Sequence, residues 1–376
     1  MNIINHTKNY TELILFFFLK TILPKNNLQK NTLLLINTGE IGDLIISSVL
    51  LENPDIFSNY EKVHFLIKEQ YLELFKNYTG KVEFLGYNYK KYKFSLLYKL
   101  KVLTMLRKEG FETCIHLTAA RGILNEEITH LVGSKEVITL NSFLQYLGNN
   151  LGKYFNKKYT KIIASETLNE YAKHFELMAY LGGDVTKIVL NNRITFDEEN
   201  FQKDEKFENY KNTIVLAPFS SVMNREWKKE YYIETINKLK ESHKIVLLGA
   251  KKQKEDLEKL KNRDENIEIL AGELKLHEIP FLLKKAKLYI GQDSGLTHMA
   301  LKVGIPIIAI IGGGEFGRFF PYKESEKVKY LYSTMDCFLC HWECAKDEMF
   351  CMTNVTPKIL LNEVKKVLMV EDENYP

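Results

Sequence analysis

Two α/β domains, each built on a parallel sheet, are predicted by three features of the sequence. Apolar runs of strand length alternate with amphipathic helical stretches along most of the chain, the pattern of parallel strands joined by crossover helices. That alternation starts twice after Lys/Asn-rich stretches, at Thr32–Ile36 and again at Thr213–Ala217. The length of 376 residues suits two domains.

The elements follow in order. In the first half, strand Thr32–Ile36 leads through a turn at Asn37–Gly42 into a helix from about Asp43. Further strands are expected at Val63–Ile67, Val82–Leu85, Thr113–Leu117, Glu136–Thr139 and Lys161–Ala164, with helices between them such as Phe94–Lys108 and Leu168–Leu181. In the second half, strand Thr213–Ala217 is followed by helix Glu230–Glu241, strand Lys244–Leu248, helix Lys252–Asn262, strand Ile267–Leu270 and helix His277–Lys285. Strands Ala286–Ile290 and Ile307–Ile311 then flank a short helix. Helix Pro357–Val370 carries Ile359, Leu360, Val364 and Leu368 at helical spacing. Asp184–Tyr210 is polar, lacks long periodicity and holds one strand candidate near Ile188–Leu190. The expected division is an apolar and basic extension (1–30), a first domain (31–190), a linker (191–210), a second domain (211–356), and a closing helix and tail (357–376).

Composition narrows the class. A hydrophobic fraction of 45% supports full cores, and a charged fraction of 27% is ordinary for a soluble protein. With 52 basic and 48 acidic residues the net charge is +4, and no basic stripe marks a nucleic-acid partner. The balance accommodates an anionic substrate or an anionic membrane surface. Lys8 and Lys20 bracket an apolar run that lacks a small-residue cleavage site, so the expected location is cytoplasmic, where disulfides are rare. The run Leu13–Leu23 falls short of the ~20 apolar residues needed to span a bilayer. Two readings stay open for it: an interfacial helix with Lys20, Lys25 and Lys30 near headgroups, or a helix packed on the first domain.

Three motifs carry chemistry. The segment Gly291-Gln292-Asp293-Ser294-Gly295-Leu296-Thr297-His298 turns from an apolar strand into a helix. Free amides at a helix start, together with the helix dipole, favour an anion such as phosphate. Ser294, Gly295 and Leu296 offer amides and a hydroxyl, Asp293 can orient the loop or take a ligand hydroxyl, and His298 lies within the first turn. The second motif, Gly39-Glu40-Ile41-Gly42-Asp43, follows the first strand. There Gly39 and Gly42 permit a tight turn and close approach. Asp43 is either a base for a hydroxyl nucleophile or a helix cap. The third motif, Pro218 to Trp227, occupies the matching position in the second half. Ser220 and Ser221 offer hydroxyls, and Arg225 can grip phosphate oxygens bidentately. Its plainer reading is a loop with Arg225 paired locally and Trp227 packed as a lid.

These segments, with Gly304-Ile305-Pro306 and the run to Gly312, stand in the order and spacing that resembles the heptosyltransferases of glycosyltransferase family 9. The resemblance covers about Asn31 to Val370, and the Asp293–His298 block is its most specific part. It implies the GT-B architecture, two Rossmann-like domains facing across a crevice, with the donor on the second domain and the acceptor on the first. It also implies inverting, metal-independent transfer of heptose from ADP-heptose to the inner core of lipopolysaccharide or lipooligosaccharide. In that reading no cofactor is required. The partners are a nucleotide-sugar, a lipid-linked oligosaccharide and the cytoplasmic face of the inner membrane, with no nucleic acid. The chain departs from the family pattern at Asn37, where arginine is common, at Arg225, where lysine is common, and at Lys228, where proline usually follows the tryptophan.

Rival readings are a same-family transferase of another sugar, a nucleotide-sugar epimerase of related fold, and a non-catalytic binding protein at a membrane surface. Cys337, Cys340, Cys344 and Cys351 form a cluster with His341 among them. It can hold zinc or an iron–sulfur cluster, or serve as reduced structural thiols. No catalytic metal is expected.

Overall fold

A computed structural model describes residues 3–144, 146–163, 166–184, 205–220, 226–261, 264–322 and 324–373. The chain divides into two compact units, Met1–Leu190 and Asn191–Pro376.

In the first unit the strands are β1 (Gln29–Ile36), β2 (Lys62–Lys68), β3 (Val82–Tyr87), β4 (Phe111–His116), β5 (Glu136–Leu140) and β6 (Lys161–Ile163). They form one parallel sheet in the order β3-β2-β1-β4-β5-β6. The central strands are apolar because both faces are covered: Leu33 to Ile36 are fully buried. Each such side chain contributes about 1.5–3 kcal/mol on burial. The helices are α1 (Ile3–Ile22), α2 (Ile41–Ser47), α3 (Tyr89–Phe94), α4 (Leu96–Glu109), α5 (Ile123–Leu131), α6 (Gly148–Asn156) and α7 (Glu170–Tyr180).

Helix α1 supplies the packed alternative expected for the apolar N-terminal run. Phe16, Leu19 and Leu23 enter the core at helical spacing, and Phe16 meets Phe155 edge-on with ring centres 5.6 Å apart. Buried Lys99 of α4 reaches Glu12 of α1 at 3.3 Å and Glu127 of α5 at 2.7 Å. The opposite face of α1 leaves Ile14, Phe17, Phe18 and Ile22 exposed.

In the second unit the strands are β7 (Ile214–Leu216), β8 (Ile245–Gly249), β9 (Ile267–Ala271), β10 (Leu288–Gln292), β11 (Ile307–Ile310) and β12 (Val328–Leu331). Their order is β12-β11-β10-β7-β8-β9, again all parallel. Counted from the first strand of each unit, both sheets read 3-2-1-4-5-6, the order of a dinucleotide-binding sheet. Both units are therefore Rossmann-like. The helices are α8 (Lys229–Leu239), α9 (Lys254–Lys261), α10 (Ile279–Lys285), α11 (Gly295–Val303), α12 (Phe350–Thr353) and α13 (Pro357–Glu373). Helix α11 ends at Gly304, whose φ of 77° is left-handed and whose amide bonds back to Ala300 and Leu301. A glycine takes that conformation at low cost and lets the chain turn into β11.

Several expected boundaries move. The helix expected over Phe94–Lys108 splits at Ser95, whose hydroxyl caps α4 by accepting the Tyr98 amide. Helix α13 runs on to Glu373, and its Leu360, Val364 and Val367 belong to the second core. Strand β12 goes beyond the expected set. The strand candidate near Ile188–Leu190 lies outside the described residues.

Candidate functional site

In each sheet the order reverses between its first and fourth strands, and ligands of open α/β sheets bind at the carboxyl ends there. The first unit reverses between β1 and β4, the second between β7 and β10. Three of the predicted segments leave these ends: Asn37–Asp43 after β1, Pro218–Ser220 after β7, and Asp293–His298 after β10.

Asp43 is the third residue of α2 and is partly exposed. Its Oδ2 accepts the Glu40 amide at 3.1 Å, so the capping geometry is realised. That bond also fixes the carboxylate at the mouth of the turn. Gly39 makes room for it, because a Cβ at Gly39 would stand 2.5 Å from Asp43 Oδ2. Gly42, in the first turn of α2, is likewise partly exposed.

Behind the turn lies a buried polar lattice. Asn37 Nδ2 donates to Ser47 Oγ at 2.8 Å, and Ser47 Oγ is 2.9 Å from the Asp43 carbonyl and 3.1 Å from His174 Nε2. The Thr38 amide donates to Thr118 Oγ1 at 3.0 Å, joining the chain after β1 to that after β4. These bonds hold α2, and Asp43 with it, against the sheet.

A second cluster beside Asp43 is absent from the sequence expectations. Glu40 takes Lys68 Nζ at 2.7 Å and the Tyr71 hydroxyl at 3.0 Å. Burial first, then the Glu40 charge, holds the Tyr71 phenol well above its ordinary pKa. Lys68 is buried at the end of β2, where a charge is rarely found without a partner. Deeper in the unit, Arg121, His130 and the Tyr159 hydroxyl converge on buried Glu126. Burial would raise the Glu126 pKa, but the His130 hydrogen bond and the Arg121 charge lower it to about 2.

In the second unit, Ser294 caps α11 with extended backbone, and Ser294, Gly295 and Leu296 are partly exposed. The Gly295 and Leu296 amides have no partner within the helix, as in any first turn. The turn is laced from below. Thr297 Oγ1 bonds to the Gln292 carbonyl and lies 3.1 Å from the Tyr289 hydroxyl. Asp293 is buried beside it, and Gln292 Nε2 donates to the Tyr232 hydroxyl at 2.8 Å. His298 is buried and stacks on Phe320 with ring centres 4.3 Å apart, so its ring is fixed by packing. Phe319 meets His298 edge-on and carries the Arg318 guanidinium 4.8 Å above its ring. Sequence reasoning missed Arg318, which pairs with Glu315 at 2.7 Å.

Ser220 is buried, and its amide donates to Glu226 Oε1 at 3.3 Å. Ser221 and Arg225 lie outside the described residues. Trp227 corrects the lid reading: it is buried in the second core and its indole N–H donates to the Val355 carbonyl at 2.7 Å.

The cysteines Cys337, Cys340, Cys344 and Cys351 are unpaired by disulfides and surround one void. Among the described residues no three His, Cys, Asp or Glu side chains are already gathered in ligating geometry.

A family model described as glycosyltransferase family 9 (heptosyltransferase) matches residues 155–340. Lipopolysaccharide heptosyltransferase 1 of Campylobacter coli is 26% identical over 306 residues, 74% of this chain and 83% of that protein. Lipooligosaccharide heptosyltransferase 2 of Campylobacter jejuni subsp. jejuni serotype O:6 is 24% identical over 174 residues, 44% of this chain and 55% of its own length, so the match spans only about half of that relative. The solved structure of E. coli heptosyltransferase WaaC with ADP-2-deoxy-2-fluoro heptose superposes with a TM-score of 0.65 at 16% identity, covering 89% of this chain and 99% of that one.

Proposed function

We infer the reaction of this chain from its family: it belongs to the heptosyltransferases of glycosyltransferase family 9. The proposed reaction is transfer of a heptose from ADP-heptose to a hydroxyl of the inner core of lipopolysaccharide or lipooligosaccharide. It proceeds with inversion and without a catalytic metal. The observation that carries this reading is the pair of strand-end sites: a fixed carboxylate after β1 and a half-open helix start after β10.

In the mechanism, the acceptor hydroxyl attacks the anomeric carbon from the face opposite the diphosphate. Asp43 takes the proton as the C–O bond to the diphosphate breaks. General-base help of this kind contributes typically about 10²–10⁴-fold. The leaving diphosphate gains charge. Two features supply the stabilisation that a divalent cation gives elsewhere: the Ser294–Leu296 helix start, and Arg225 on the loop after β7. In this reading His298 and Asp293 form part of the donor site, and Ser220 and Ser221, which follow β7 in sequence, contribute hydroxyls.

The acceptor in this reading is lipid-linked, and α1 supports work at a membrane surface. Its outer face exposes Ile14 (69%), Phe17 and Phe18, and Lys20 and Lys25 stand exposed nearby. No helix among the described residues is long and apolar enough to cross a membrane. We place α1 flat on the anionic cytoplasmic leaflet, apolar side chains inward.

The direct test is transfer from ADP-heptose to a heptose-deficient core acceptor by wild type and Asp43→Ala. Loss of turnover with donor binding kept supports Asp43 as base. Retained turnover removes it from that role.

A further inference from the structure

Leu97 is 80% exposed and Phe94 73%, more than any other large apolar side chain among the described residues. They flank Ser95, where α3 passes into α4, and Leu96 beside them is exposed too. A lone exposed apolar residue is ordinary, whereas adjoining ones mark a contact surface. Along α4 the exposure recurs at Leu97, Lys101, Met105 and Lys108. Steps of four and three residues put them on one stripe. Val102, Leu103 and Leu106 of the same helix enter the core of the first unit.

The charge around this stripe has one sign. From Phe84 to Lys108 the chain has no Asp or Glu and holds seven basic residues. Lys90, Lys91, Lys101 and Lys108 are exposed, and Lys93 Nζ lies 5.0 Å from the centre of the Phe94 ring. Such a surface matches a layer of anionic headgroups over hydrocarbon. The apolar tips enter the layer, while the lysine stems lie along it and their ammonium ends stay at the headgroups.

The stripe also has a place in the unit. Helices α1 and α4 cover the same face of the first sheet, since Phe16, Leu19 and Leu23 share one core cluster with Val102, Leu103 and Leu106. The two helices run side by side: Lys99 reaches Glu12 at 3.3 Å, and Arg107 Nη1 donates to the Pro24 carbonyl at 2.5 Å. Helix α3 begins two residues after β3, at the carboxyl edge of the sheet. There Lys68 Nζ stands 4.8 Å from the centre of the Tyr89 ring and pairs with Glu40, the cap residue of α2. Through Glu40 and Lys68, α3 is tied to the turn that holds Asp43.

We propose that the α3–α4 junction is a second membrane anchor beside α1. Phe94 and Leu97 enter an anionic leaflet, and Lys90, Lys91, Lys101 and Lys108 meet its headgroups. A single helix lying on a bilayer leaves its unit free to roll about the helix axis. A second contact at the carboxyl edge of the sheet stops that roll and holds the Asp43 turn near the headgroups. This consequence for the site rests on the proposed lipid-linked acceptor; the anchor itself does not.

The test is sedimentation of the full chain with vesicles, without donor or acceptor. Wild type is expected to sediment with vesicles of phosphatidylethanolamine and phosphatidylglycerol, not with phosphatidylcholine alone, and to be released by high salt. Lys90→Gln, Lys91→Gln and Lys101→Gln combined should weaken binding at least about tenfold. Phe94→Ser with Leu97→Ser should weaken it several-fold at an unchanged melting temperature. Phe94→Trp reports insertion directly: its added fluorescence should shift to the blue on anionic vesicles and be quenched by brominated acyl chains. Wild type left in the supernatant, equal sedimentation of all variants, or a Phe94→Trp emission indifferent to vesicles overturns the proposal. So does self-association of the wild type that Phe94→Ser with Leu97→Ser removes, which would assign the face to a second copy. Because no substrate is present, failure here leaves the transferase reading standing, and failure of transfer from ADP-heptose leaves the anchor standing.

Discussion

A Cβ on Gly39 would stand 2.5 Å from Asp43 Oδ2 and 2.7 Å from Asp43 Cβ. The glycine therefore sets the rotamer of the carboxylate. Gly39→Ala must push Asp43 off its bond to the Glu40 amide, whereas the fold around it can stay. The expected result is a kcat at least about tenfold lower, of the order expected for a misplaced base. The donor Kd and the melting temperature should be near wild type. An unchanged kcat in the Gly39→Ala variant would show that this carboxylate position does not matter.

The donor turn is held by Thr297, which bonds the Gln292 carbonyl and meets the Tyr289 hydroxyl. Thr297→Val keeps the shape and leaves those buried groups unsatisfied. The expected cost is about 1–3 kcal/mol of stability, with weaker donor binding because the α11 start shifts. Calorimetry and thermal melts on the same preparation read both effects. A weaker melt with full donor affinity would separate the turn from the donor site.

Buried Lys99 ties Glu127 at 2.7 Å and Glu12 of α1 at 3.3 Å. Burial raises the Glu127 pKa, and the Lys99 charge opposes that shift. Lys99→Met strands a buried carboxylate, so a loss of about 3–5 kcal/mol is expected in denaturant unfolding. Adding Glu127→Leu should recover most of it. No recovery would mean that the lysine acts through packing alone.

Stability should fall with acid before ordinary carboxylates titrate. Burial, with the Arg121 and His130 charges, lowers the His116 pKa from 6.5 to about 3 against the pull of Glu126. Neither ring nitrogen of His116 has a hydrogen-bond partner among the described residues. The unfolded chain therefore takes a proton below pH 6.5 that the folded chain refuses until about pH 3. Stability drops through that window, at most about 1.4 kcal/mol per pH unit. Glu126, lowered to about 2 from 4.5, adds a further loss between those values. His116→Leu should flatten the profile above pH 4.5, where Glu126 does not yet contribute; urea midpoints at several pH values decide it. Equal slopes in variant and wild type would exclude His116 as the source.

Ile14 and Phe18 sit on the exposed face of α1, away from its buried Phe16 and Leu19. Replacing both with Ser should preserve the melting temperature and reduce sedimentation with anionic vesicles several-fold. Equal sedimentation of variant and wild type would remove α1 from the membrane contact.

The parallel strands were legible because their burial on two faces writes continuous apolar runs, as in Leu33–Ile36 and Ile307–Ile310. Strand β12 was not: it is a sheet edge, its burial alternates, and Lys329 interrupts its apolar side chains. The Asp43 and Ser294 turns could be read from local spacing, since glycines and a helix start are local features. The Glu40–Lys68–Tyr71 cluster could not, because β2 brings Lys68 back beside a residue 28 positions earlier. Trp227 was misread for a similar reason. Its indole partner, Val355, lies 128 residues further on. The triple glycine at 312–314 was read as a strand end, and its cause, Phe338 and Trp342 lying on it, comes from a loop more than twenty residues downstream.

The most direct test of the central claim is calorimetric titration of the purified chain with ADP-heptose, UDP-sugars and GDP-sugars, without added metal. Selective binding of ADP-heptose is the predicted result. Preference for a UDP- or GDP-sugar, or binding to none of the three, would contradict the proposed donor.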